Sequence, residues 1–138
     1  MTPLKGLSVL LAEDEVLIAL DAEEMLLELG AAEVSVANSY DDALRLIGEK
    51  RFDFVLLDVS LHGQKSFPLA EALFSRDTAV VFGTGYNRIS HQFADGRTAG
   101  CVGKPYTAES LRKEIAAVLA GASKSANSTS AAIRSAPL

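Results

Sequence analysis

Two hydrophobic periods take turns along this chain from residue 7 to residue 120. Short apolar runs occur at 7–12 (LSVLLA), 33–37 (EVSVA), 54–57 (FVLL), 79–82 (AVVF) and 100–102 (GCV), and they are mostly apolar on both faces rather than alternating. Between them lie longer stretches in which apolar residues recur at helical spacing. Few folds accept such a pattern. A strand that is apolar on both sides must be covered on both sides, which is the condition of a parallel sheet sandwiched by helices. Parallel neighbours in turn require crossover connections, and these are right-handed.

The helical stretches carry their own punctuation. One spans 16–29 and stops at Gly30; a second spans 39–50, with Ser39 as N-cap and Asp41 and Asp42 in its first turn; another spans 107–120, where Leu111, Ile115, Val118 and Leu119 form one apolar stripe. A helix is also expected over 66–75. The stretch 86–98 should hold the fourth helix, although it is polar and interrupted by Gly96. The expected fold is therefore α/β: a doubly wound, flavodoxin-like sheet of five parallel strands in the order 2-1-3-4-5, with five helices. The 138 residues, 49% hydrophobic, make one domain over 1–120. From 121 to 138 Ser, Ala, Asn and Thr dominate, and this segment is expected to be a disordered tail.

Charge and cysteine content narrow the function. A net charge of -5 argues against binding nucleic acid, because neutralising a phosphate backbone takes Lys/Arg clusters. Cys101 is the single cysteine, so no intrachain disulfide and no paired zinc ligands exist, as expected of a cytoplasmic protein. The first apolar run is too short for a membrane helix, and no association with a membrane is expected.

In an open parallel sheet, ligands bind at the carboxyl ends of the strands near the switch point. Four strand ends bring chemistry there: Glu13-Asp14-Glu15, Asp58, Gly83-Thr84-Gly85 and Gly103-Lys104-Pro105. Carboxylates crowded together raise one another's pKa, and a divalent cation relieves the repulsion. Oxygen ligands with no His or Cys at ligand spacing suit Mg2+, with Asp14 and Asp58 as direct candidates. A carboxylate nucleophile at Asp58 can then accept a phosphoryl group, Lys104 balancing charge on the transferred oxygens and the Thr84 hydroxyl donating a hydrogen bond. A strand-end lysine in that role is expected to contribute little to folding.

With these residues in view, the chain over about 5–120 resembles the response-regulator receiver (CheY-like) family. The family's acidic pair falls on Glu13 and Asp14, its phosphorylated aspartate on Asp58, its hydroxyl residue on Thr84 and its Lys-Pro on Lys104-Pro105. The resemblance implies a third metal ligand in the Ser60 backbone carbonyl, a cis Lys104–Pro105 bond, and phosphorylation by a histidine kinase or phosphotransfer protein, with output through an unknown downstream protein. A finer resemblance, through Phe82-Gly83-Thr84-Gly85-Tyr86, is to single-domain receivers of the FAT GUY type, which implies stress-type phosphorelays. The sequence departs from these patterns at Gly83, where Ala is usual, and at Cys101, where receivers carry a switch aromatic. Thr84 and Tyr86 are then the switch candidates.

Plainer readings stand beside these. Glu13, Asp14 and Glu15 could merely favour the start of the next helix, and Glu15 is assigned to that role. His62 and His91 are isolated in polar loops and are expected to face solvent. Cys101 is expected to be a buried thiol acting as a small hydrophobe. The alternative functions are a phosphorylation-independent adapter and an Asp-nucleophile phosphatase. The second is disfavoured because haloacid-dehalogenase-like enzymes resemble Asp-x-Asp, and Ser60 stands where their general acid would be.

Overall fold

The computed structural model describes residues 2–85 and 99–128. Five strands form one parallel sheet: β1 (Ser8–Ala12), β2 (Glu33–Ala37), β3 (Phe54–Asp58), β6 (Ala79–Thr84) and β7 (Gly100–Gly103), in the order β2-β1-β3-β6-β7. This is the doubly wound order expected from the alternation. The numbering gains two because Ser60–Leu61 (β4) and Gln64–Lys65 (β5) form a small antiparallel hairpin after β3. Four helices lie among the described residues: α1 (Val16–Glu28), α2 (Tyr40–Glu49), α3 (Phe67–Phe74) and α4 (Ala108–Ser128). The fourth helix expected over 86–98, with Tyr86, lies outside the described residues. The helix expected to stop near Ala120 continues to Ser128. Residues 129–138 of the expected tail are likewise outside the described residues.

Local chemistry sets the helix ends. Ser39 caps α2 by accepting a hydrogen bond from the Asp42 amide at 3.1 Å. Helix α1 closes in a Schellman arrangement, with Gly30 N–H on Leu27 O and Ala31 N–H on Leu26 O. The turn requires φ +107° at Gly30, and a β-carbon there would meet the Lys5 backbone at 2.9 Å.

Each face of the sheet buries its own cluster. Leu11, Leu56 and Val81 pack with Ala22 and Leu26 of α1 and with Leu111 and Ile115 of α4. Leu10, Leu57 and Phe82 pack with Ile47 of α2 and with Leu69 and Leu73 of α3. Full burial of such a side chain stabilises the fold by about 1.5–3 kcal/mol, so the two clusters dominate its stability. The central strand β3 is buried throughout, which is why its sequence reads as an unbroken apolar run ending in one carboxylate. Strand β7 is an edge, and this accounts for one departure: Cys101 is only partly buried. Its outward amide has no neighbouring strand among the described residues and donates to Glu114 Oε1 of α4 at 3.3 Å.

Candidate functional site

Register places the chemistry. Ala12 pairs with Leu57, Asp58 with Gly83, and Gly83 with Val102. One residue beyond Ala12, Glu13 therefore comes alongside Asp58. Because side chains alternate along a strand, Glu13, Asp58 and Gly83 face the same side as Leu11, Leu56 and Val81. A row of strand ends thus carries carboxylate, carboxylate, and a glycine with no side chain.

Carboxylate oxygens of Glu13, Asp14 and Asp58 lie within 4.8 Å of one another. Lys104 reaches across from the end of β7, its Nζ 2.8 Å from Asp58 Oδ2 and 2.9 Å from Glu13 Oε1. The first contact is a hydrogen bond. The second is an ion pair lying off hydrogen-bond alignment, which leaves Glu13 Oε1 buried beside a cation but without an aligned donor. The other Glu13 oxygen accepts the Glu15 amide at 3.0 Å. Glu13 is fully buried, and burial holds its pKa above the ordinary carboxylate value; the Lys104 and Glu15 contacts oppose that shift, while the nearby Asp58 charge adds to it. For Lys104, burial works against the charge, but the hydrogen bond to Asp58, the close contact with Glu13 and the charges of both carboxylates outweigh it and hold the pKa above the usual lysine value.

Asp14 is steered by the hairpin. The turn residues His62 and Gly63 have φ of 51° and 82°, the signs of a type I′ turn, and the His62 amide donates to Asp14 Oδ2 at 2.7 Å. The His62 ring is exposed, as expected, with Nδ1 3.8 Å from the same oxygen. Ser60 donates its amide to Asp58 Oδ1 at 3.2 Å. Thr84 is buried at the end of β6, and its carbonyl accepts the Lys104 amide at 2.9 Å. The Lys104–Pro105 bond is cis, as the resemblance implied. Glu15 sits at the N-cap of α1, and its side chain makes no capping hydrogen bond.

Sequence reasoning passed over three contributors. Ser66 is fully buried, and its hydroxyl donates to Asp58 O at 2.6 Å and approaches Val59 O at 3.2 Å, bracing the turn behind Asp58. As the residue before Phe67-Pro68 it looks like a helix cap, yet it makes no capping bond. The His62 amide was invisible because backbone donors leave no mark on side-chain chemistry. Tyr106, two residues after Lys104, carries no sequence signal that marks it, yet its hydroxyl is buried and has no hydrogen-bond partner among the described residues.

The donor set fits a hard divalent cation: three carboxylates converge, all ligands are oxygen, and burial with like charge already strains Glu13 toward its protonated form. Of the three, Asp14 is half-buried, while Asp58 and Glu13 are buried.

Among the described residues, no helix is long and apolar enough to cross a membrane. The family model for the response regulator receiver domain matches residues 9–116. No curated protein matches. Among solved structures, SdrG from Sphingomonas melonis Fr1 is 35% identical with a TM-score of 0.70, and the match covers 86% of this chain and 99% of SdrG. The response regulator PhyR from Brucella abortus is 27% identical with a TM-score of 0.71, over 88% of this chain and 52% of PhyR. A PhyR stress response regulator at 24% identity and TM-score 0.70 shares the fold; this chain spans 47% of its length. The strand order, the acidic cluster bridged by Lys104 and the match over 9–116 lead to one conclusion: the chain belongs to the response-regulator receiver domain family of two-component signalling.

Proposed function

We propose that this chain accepts a phosphoryl group on Asp58 from a histidine kinase or phosphotransfer protein, in a Mg2+-dependent reaction, and signals by altered binding to a downstream protein. The observation that carries the reading is the position of Lys104 Nζ, 2.8 Å from Asp58 Oδ2, beside three carboxylates whose oxygens fall within 4.8 Å. An Asp58 oxygen forms the new P–O bond as the donor's P–N bond breaks and the imidazole leaves. Lys104 is placed to hold the transferred oxygens, and the Thr84 hydroxyl to donate to one of them. Asp14, Asp58 and the Ser60 backbone carbonyl, with Glu13 behind them, would hold Mg2+, which would supply positive charge against the charge developing on the transferred oxygens. Ser66 and the Ser60 amide keep the nucleophile's backbone and side chain in place.

The chemistry is group acceptance rather than turnover on small phosphoesters, since Ser60 offers no carboxyl to act as general acid. The likeness to SdrG and to PhyR, one of whose structures is described as a stress response regulator, supports a stress-type phosphorelay. The Phe82-Gly83-Thr84-Gly85-Tyr86 segment supports the FAT GUY subtype and a single-domain regulator, with Thr84 and Tyr86 in the switch. The test is intact-mass analysis after incubation with a small phosphodonor and Mg2+. The native chain gains a phosphate adduct and Asp58→Asn does not. An adduct on both, or on neither, refutes the assignment, and the second result favours an adapter that works without phosphorylation.

A further inference from the structure

The row of strand ends has a gap at Gly83, and Tyr106 fills it. A β-carbon built on Gly83 would lie 1.8 Å from the Tyr106 hydroxyl oxygen and 2.8 Å from Cζ, so the ring can occupy this place only because residue 83 is glycine. Gly83 pairs with Asp58, which puts the hydroxyl on the face of the sheet that carries Glu13 and Asp58. Tyr106 is 7% exposed, and its hydroxyl has no hydrogen-bond partner. A buried polar group left in that state is unfavourable and calls for a reason. Among the described residues the other buried side-chain oxygen without one is Glu13 Oε1, the atom that Lys104 approaches off axis. The charges of Glu13 and Asp58 help burial to keep the phenol protonated, so it remains a donor. A donor and an acceptor, both unsatisfied, thus lie on the one face of the sheet where a single lysine has two carboxylates to serve.

We propose that Tyr106 is a positioning residue of the phosphoacceptor site, whose hydroxyl donates to Glu13 when Lys104 leaves that carboxylate for a phosphoryl oxygen on Asp58. The inference rests on the phosphoacceptor reading above. In the resting state Lys104 supplies the positive charge that Glu13 needs. Once the lysine turns to the phosphoryl group, Glu13 Oε1 loses that neighbour, and the phenol is a buried, unused donor on the same face of the sheet. Reading the occupied site would fall to an aromatic residue two positions after the lysine, in a chain where the position three before it is Cys101.

The experiment uses the full chain, native and Tyr106→Phe, unfolded thermally without ligand and titrated with beryllofluoride in the presence of Mg2+. Without ligand, Tyr106→Phe is at least as stable as the native chain, because it removes an unpaired buried group. With Mg2+ and beryllofluoride it binds about tenfold more weakly, the low end of what one hydrogen bond to a charged group contributes. Equal loss of stability in both states would make the hydroxyl merely structural, and equal affinity would mean it is never used; either overturns the proposal. Gly83→Ala, whose β-carbon evicts the ring, weakens the same binding, and native affinity in that variant also overturns it. A native chain that ignores Mg2+ and beryllofluoride would instead refute the phosphoacceptor reading itself.

Discussion

Replacing Lys104 with alanine tests how the site balances its charges, and the structure changes what to expect of it. A lysine at a strand end was expected to matter little for folding. Here it is 18% exposed and is the cation paired with Glu13, whose side chain has no exposure at all. Without it, Glu13 must either stay charged in a desolvated place or take up a proton. Protonation caps the penalty at about 1.4 kcal/mol per pH unit above the ordinary value, which is about 3.5 kcal/mol at pH 7 and under 1 kcal/mol at pH 5. The native chain already carries part of that penalty, because burial holds the Glu13 pKa above 4.5 even with Lys104 present. The expected loss for Lys104→Ala is therefore about 2 kcal/mol at pH 7, a fall of roughly 8 °C in Tm for a domain of this size, shrinking below about 1 kcal/mol at pH 5. The sign follows from linkage. A carboxyl whose folded pKa is raised contributes stability that is present below its unfolded value and lost as pH rises through the folded one. Removing the lysine raises the folded value further, so the variant loses more stability than the native chain between pH 5 and pH 7. Urea or thermal unfolding at the two pH values measures this. Equal losses at both, or no loss at pH 7, would refute the argument that Glu13 depends on Lys104.

Two further substitutions probe the frame around Asp58. Gly63→Val places a branched residue at φ 82° in the hairpin turn, which should disturb the His62 amide on Asp14. Mg2+ affinity measured by calorimetry should drop severalfold, with Asp14→Ala as the reference for complete loss of that ligand; unchanged affinity would mean the hairpin does not orient Asp14. Ser66→Ala removes the hydroxyl that donates to Asp58 O at 2.6 Å from a fully buried position. It should lower stability by about 1–2 kcal/mol in urea unfolding, and a neutral result would show that the turn is held by backbone alone.

How much of this was legible in advance depends on the range of the interaction involved. Local patterns were written plainly: runs such as FVLL at 54–57 could only be buried strands, Ser39 could be seen as a cap, and Gly30 as a stop, because each is decided by neighbours a few residues away. Strand order followed too, since right-handed crossovers leave few ways to cover such strands. Even the members of the site, Glu13, Asp14, Asp58 and Lys104, could be named, because strand ends in a doubly wound sheet converge. What only tertiary structure decided is which atoms meet. That Lys104 serves two carboxylates, that a two-residue turn aims an amide at Asp14, that Ser66 turns back to Asp58 O and that β7, lying at the edge, leaves Cys101 partly exposed all depend on contacts between distant segments. The pairing of Gly83 with Tyr106 is the clearest case. Each residue is unremarkable in its own stretch of chain, and the meaning of the missing side chain appears only when the ring that fills its place arrives from 23 positions away.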